Sequence, residues 1–422
     1  MIDFHLNGVG KEQDSQHQKE LSLLNDRLKL AKGLNPIIEK LKCFQVAIPS
    51  WALGTGGTRF GRFPGGGEPS TIVQKIEDVA LLHRLNKSSG AISLHFPWDK
   101  VENMQELTEI ATSHGISFDA VNSNTFQDQI DQPYSYKYGS LCHTDKEVRK
   151  LAIDHNKEVI ALGDRLGSKA LTVWLSDGSI FPGQQDFKSA LSRTLDSLNE
   201  IYEKLPEDWT LLLEYKPFEP NFYSMVIPDW GTSFMLVSEL GEKAKTLVDL
   251  GHHLPNTNIE QIVSTLLFGN KLGGFHFNDS KYGDDDLTVG SLKPYQMFLI
   301  FCELVKGMNE DPKLDLAWMI DASHNLKDPL EDLIQSVEAI NIAYAQALIV
   351  DYESLAFYQN QNDATKCQEI LQEAFRTDVR PIVREARLQQ DGAFDPLRSF
   401  RELKVRESLI ASRGTHSKAT GL

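Results

Sequence analysis

Four short apolar runs in the second half of this 422-residue chain each stop at a residue able to hold a metal ion. Leu211-Leu212-Leu213 ends at Glu214, Leu247-Val248 at Asp249, Gly274-Phe275 at His276 and Trp318-Met319-Ile320 at Asp321. Three carboxylates and one imidazole suit Mn²⁺, Mg²⁺, Co²⁺ or Zn²⁺, and the lack of thiolate argues against a structural zinc. A single Asp at a strand end is usually a turn residue or helix cap. A single His is usually a packed imidazole. Four metal-type ligands in succession fit neither explanation. His252 and the triple acid Asp284-Asp285-Asp286 follow the second and third runs. His252, Asp284 and Asp286 can build a second ion site, and Asp249 lies close enough in sequence to His252 to touch both ions. Two ions a few Å apart can hold both oxygens of a reacting unit.

Other residues accompany the acids. Strand alternation puts Lys216 on the same face as Glu214, where it can stay charged and donate to a substrate oxygen. His95 ends another apolar run; it is either a proton shuttle at a sugar oxygen or a packed imidazole. Trp51, Trp98, Phe126 and Trp174 follow strand ends and could wall a sugar's apolar face, although aromatics near strands are more often core. His324, close after Asp321, reads more readily as structural than as a supporting group.

These side chains need elements to hold them. Strand-like runs occupy 44–50, 91–98, 116–124, 169–177, 209–217, 244–253, 272–280 and 314–325, most of them separated by helical patterns. Alternation argues for parallel strands, and eight of them for closure into a (β/α)8 TIM barrel. In such barrels the strands' C-terminal ends carry the chemistry, where Glu214, Asp249, His276 and Asp321 all fall. The expected division is an N-terminal helical segment (1–43), the barrel (44–348) and a C-terminal helical extension (349–422), frayed from Lys404. The glycine-rich run 51–67 lacks both the Walker pattern and GxGxxG, and reads as a lid or βα loop.

Composition sets the outer bounds. Hydrophobic residues make up 41% and charged residues 24%, as in an ordinary globular protein with a large core. A net charge of -16 argues against nucleic acid or anionic membrane as partners. The four scattered cysteines form no CxxC pair, no apolar run spans a bilayer, and the N-terminus lacks a secretory pattern; a cytoplasmic protein is expected.

Several stretches then carry a resemblance: IPSWALGTGGTRFGRFPGGGEP (48–69), SLHFPWDK (93–100), NSNTF (122–126), SYKYGSL (135–141), GSKALTVWLSDGS (167–179), VDLGHHLPNTNIE (248–260), GGFHFNDSKYGDDDL (273–287) and MIDASHN (319–325). The chain resembles the L-rhamnose isomerases of the broad-specificity bacterial type, relatives of xylose isomerase. The resemblance implies a structural ion on Glu214, Asp249, His276 and Asp321. It implies a catalytic ion on His252, Asp284 and Asp286, with Asp249 as the bridge and Lys216 near the reacting carbons. It further implies Mn²⁺ dependence, a homotetramer and interconversion of aldose and ketose.

The expected reaction moves a hydrogen between C2 and C1 of an open-chain sugar. It moves either as hydride in a dry site, the favoured reading, or as a proton through an enediol with hydroxide or Asp321 as base. The alternatives are a related isomerase or epimerase acting on another aldose, and a non-catalytic metal-dependent sugar-binding protein. An epimerase of this kind needs one ion and a pair of glutamates, so the second donor set speaks against it.

Overall fold

The structure is a computed structural model that describes residues 11–30, 32–54, 63, 65–219, 221–324 and 326–415. Most of the glycine-rich run (55–62 and 64), Asn325, and the two chain ends lie outside the described residues.

Eight parallel strands close into a barrel. They are β1 (Ala47–Pro49), β2 (Ala91–Ser93 and His95–Phe96), β3 (Ser117–Phe118 and Val121–Ser123), β4 (Ala170–Val173), β5 (Thr210–Glu214), β6 (Ala244–Asp249), β7 (Leu272–Phe277) and β8 (Ala317–Ile320). The sheet closes because both pieces of β2 pair with both pieces of β3, while β8 pairs with β1 through Met319 and Ala47. Most of the intervening helices begin on side-chain caps placed by the sequence. Thr71, Asn103, Asp145, Asp186 and Asp328 each accept from a backbone N–H of the first turn.

Two apolar layers hold the barrel. A small inner cluster of Ala47, Ala91, Ala120, Leu212, Leu247 and Met319 fills its lower interior. A large outer cluster fills the space between strands and helices. Around β7 the alternation is plain. Phe275 and Phe277 point outward and stack with Trp318 and Phe301, so His276 between them points into the barrel. Gly274 lets β7 approach β8, since a Cβ there would collide with the Ala317 backbone.

Two elements differ from the sequence expectation. A helix over Trp230–Leu240 joins β5 to β6, where no helical pattern was evident. Its sequence, WGTSFMLVSEL, is apolar on most sides and so shows no 3.6-residue rhythm; Asp229 caps it through Thr232 N–H. Among the described residues after Lys404 the expected fraying is not found: Val405–Arg413 is a helix with Val405 and Leu409 buried. Long-range ion pairs dock it, Arg406 to Asp328 and Arg413 to Asp78, the latter at 2.8 Å. Among the described residues no single helix is long and apolar enough to cross a membrane.

Candidate metal centre and sugar pocket

The strand order places the acidic residues side by side. Leu247 is paired with Glu214, Asp249 with His276, and His276 with Met319, so β5 to β8 deliver their polar ends to one side of the barrel mouth. One ligand atom from each of Glu214, Asp249, His276 and Asp321 lies within 4.8 Å of every other. His276 Nδ1 is 3.3 Å from Glu214 Oε2, 3.7 Å from Asp321 Oδ2 and 3.8 Å from Asp249 Oδ2. Glu214, Asp249 and His276 are buried, and Asp321 is partly exposed to the cavity.

Electrostatics show what this cluster would accept. Burial pushes the Asp321 carboxyl up to about 7 and also raises Asp249. Burial opposes a charge on His276, but Glu214, Asp321 and Asp249 outweigh it and push the imidazole up to about 9. Burial likewise opposes the Glu214 charge, yet His276 and His252 hold its carboxyl below the usual range. Three carboxylates around one imidazole leave a surplus of negative charge that a divalent cation would neutralise. The donor set and its spacing fit such an ion.

The second donor set stands next to the first. His252 Nε2 is 3.0 Å from Asp284 Oδ1, and its Nδ1 lies 3.1 Å from Glu214 Oε1 and 2.9 Å from the Tyr215 carbonyl. Glu214 thus faces a histidine of each set with a different oxygen. Asp249 Oδ1 accepts from Gly251 N–H and Asn278 Nδ2, while Oδ2 faces His276. Asp286 lines the same cavity. Lys216 is buried, and its ammonium sits 2.5 Å from Asp284 Oδ2, against Glu219 and over the Trp174 ring.

The other half of the mouth is built differently. β1 to β4 and the loops after them contribute Trp51, His95, Asn122, Phe126, Thr172 and Trp174 to a cavity of about 230 Å³ that the acids close from the far side. Phe126 meets Trp174 edge to face at 4.8 Å. His95 is neutral: burial lowers its pKa to about 4. Its backbone N–H donates to Asp99 at 2.8 Å, and Asp99 also pairs with buried Lys75 at 2.7 Å. His95 Nδ1, Ser123 Oγ, Thr172 Oγ1 and Trp174 Nε1 are buried and find no hydrogen-bond partner among the described residues. Such orphans are costly unless something else bonds them.

Most residues singled out in the sequence converge here; two do not. Trp98 lies outside the cavity lining and packs against Phe126 at 5.9 Å. His324 is buried away from the cavity, bonded to Asp332. Asn122, Ser123, Gln127, Thr172, Ser176 and Glu219 line the cavity without having been singled out. Asn122 and Thr172 occupy inward strand positions one turn of alternation above Ala120 and Ala170, a placement visible only once the inner face is fixed.

Comparison with known proteins agrees with this fold. A family model described as "Xylose isomerase-like TIM barrel" matches residues 83–371. A "probable sugar isomerase" of Rhizobium meliloti (strain 1021) is 52% identical over 94% of this chain and 92% of its own. Another, from Mesorhizobium japonicum (strain LMG 29417 / CECT 9101 / MAFF 303099), is 49% identical over 96% of this chain and 94% of its own. A solved structure of an L-ribulose 3-epimerase shares the fold with a TM-score of 0.51 at 14% identity, covering 72% of this chain and 96% of that one. By sequence and by fold, this chain belongs to the xylose isomerase-like TIM barrel family.

Proposed function

We propose that the protein is a metal-dependent aldose–ketose isomerase whose leading conversion is L-rhamnose to L-rhamnulose. The observation that carries this reading is one cavity with a four-donor ion cradle on one side and aromatic and orphaned polar groups on the other. His252 and Asp284, 3.0 Å apart and adjoining the cradle, favour two ions over the single ion of an epimerase. In this reading Glu214, Asp249, His276 and Asp321 would hold a structural ion. His252, Asp284 and Asp286 would hold a catalytic one, with Asp249 the ligand shared between the two sets. Two divalent ions, Mn²⁺ first with Co²⁺, Zn²⁺ or Mg²⁺ as alternatives, would supply Lewis-acid polarisation at the sugar's C1 and C2 oxygens.

The chain's own groups do the remainder. Lys216, charged and held by Asp284 and Glu219, donates to a substrate oxygen beside the reacting carbons. Neutral His95 offers its unpaired Nδ1 to a sugar oxygen. Trp51, Phe126 and Trp174 cover the sugar's apolar face and exclude water, which suits a hydride shift from C2 to C1. The competing route, proton transfer with Asp321 as base, puts solvent deuterium on carbon. A homotetramer in the cytoplasm completes the proposal. Exposed Phe181, Leu254 and Tyr282 near the barrel mouth and four free thiols support it.

The test is turnover of L-rhamnose, L-mannose, L-lyxose and D-allose with Mn²⁺, Co²⁺ and Mg²⁺, repeated in D₂O. His252→Ala is expected to fold and to lose turnover. Full activity in that variant would overturn the catalytic-ion assignment, and carbon-bound deuterium would overturn the hydride shift.

A further inference from the structure

The loop that carries Asp284 and Asp286 is held in an unfavourable shape. Both residues have positive φ, 55° and 49°, in the left-handed region that side chains other than glycine's enter at a cost. Such a conformation persists only where the surroundings impose it. At its start Asp284 N–H donates to the Gly251 carbonyl at 2.8 Å. At its end Asp279 and Leu287 exchange both backbone hydrogen bonds at 2.9 Å, and Ser323 N–H donates to the Asp286 carbonyl at 2.9 Å. The last contact ties the loop to the segment just after Asp321.

One side chain gathers these ties. Asp332, 2% exposed on the helix Pro329–Leu348, accepts from Thr288 Oγ1 at 2.5 Å and from Lys327 Nζ at 3.0 Å through one oxygen. Its other oxygen meets His324 Nδ1 at 2.7 Å. Thr288 follows the acidic loop in sequence, and His324 follows Asp321. The helix adds a second contact nearby, Ser336 Oγ accepting from Val289 N–H at 3.3 Å. Asp332 does not line the cavity.

We infer that Asp332 is a positioning residue for the second ion site: by joining Thr288 to His324 it fixes the loop bearing Asp284 and Asp286 over the strand end bearing Asp321. The inference rests on the two-ion reading above. Without the junction, Asp284 and Asp286 relax toward ordinary backbone angles and their carboxylates leave the second ion. The cradle of Glu214, Asp249 and His276, set on strands, stays in place.

The experiment is Mn²⁺ titration of the metal-free protein by calorimetry and electron paramagnetic resonance, in wild type, Asp332→Asn, Thr288→Val and Thr288→Ser. Thr288→Val leaves the His324–Asp332 pair intact and so tests the junction even where Asp332→Asn fails to fold. The second binding step is expected to weaken about 10- to 100-fold in Asp332→Asn and Thr288→Val, the range seen when groups supporting metal ligands are removed. The first step is expected to stay within about twofold, and Thr288→Ser, which keeps the hydroxyl, to restore the second. If Thr288→Val weakens both steps alike, or neither, the positioning role is overturned and the two-ion reading stands. If wild type takes up one ion only, the two-ion reading falls and the inference falls with it.

Discussion

Thr172→Val separates a role in folding from a role in recognition, because the two predict opposite signs. Thr172 is 2% exposed on the inward face of β4, and its hydroxyl has no partner among the described residues. A buried hydroxyl without a hydrogen bond costs about 1–3 kcal/mol. Valine keeps the shape and removes the cost, so the sugar-free variant should be as stable as wild type or more stable, by up to about 2 kcal/mol after some hydration of the cavity is allowed for. For bound sugar the sign reverses. The hydroxyl would bond a substrate oxygen, and losing that bond strands a polar group of the substrate, which costs about 1.4 kcal/mol or a factor of about ten in KM. Because the contact exists before and during the reaction, kcat should hold. The assay is thermal unfolding with chelator, beside steady-state kinetics on each candidate sugar. A lower Tm with unchanged KM would refute the reasoning, since it would mean that the hydroxyl serves the fold and not the ligand.

Three further outcomes follow from the same geometry. Asp249→Asn should disturb uptake of both ions, whereas Glu214→Gln should chiefly weaken the structural one; the reverse pattern in a Mn²⁺ titration would transfer the bridge to Glu214, which faces His252 and His276 with different oxygens. Ion binding should strengthen as pH rises from below 7 to about 9, because Asp321, held up to about 7, and His276, held up to about 9, must each release a proton to ligate; calorimetry in buffers of different ionisation enthalpy should register the released protons. Arg413→Met should cost about 3 kcal/mol at pH 8 in denaturant unfolding, since it strands the buried Asp78 carboxylate. Burial pushes Asp78 up to about 6 even beside Arg413, and higher without it, so this loss should shrink as pH falls toward 6 and the variant's carboxyl takes a proton.

The ion cradle was legible because a strand writes its inward end as an apolar run followed by a donor, and four such runs fall in succession. The barrel was legible for the same reason, through alternating strand and helix patterns. The helix Trp230–Leu240 was not, because its outer side carries apolar residues such as exposed Met235 while its buried face includes Ser233, so its hydropathy does not mark its period. The helix Val405–Arg413 was not, because its partners Asp78 and Asp328 lie far away in sequence and only the fold brings them within reach. The cavity-lining polar residues were the hardest to see. A threonine or an asparagine within a strand is ordinary, and Thr172 and Asn122 differ from other polar strand residues only in facing an open cavity. Glu219 escaped notice because it lies beyond the strand, where the chain turns back to meet Lys216.

The two sides of the mouth are written in separate stretches of the gene. Most of the groups proposed to face the sugar, from Trp51 to Ser176, precede the four-donor cluster from Glu214 to Asp321; Lys216 and Glu219 line the cavity from within the second stretch. Substitutions that retune the sugar can therefore accumulate in the first stretch while the reaction centre is inherited unchanged. A library confined to the first stretch would explore new substrates at little risk to the chemistry, and a crossover placed near residue 200 would exchange one recognition half for another as a block.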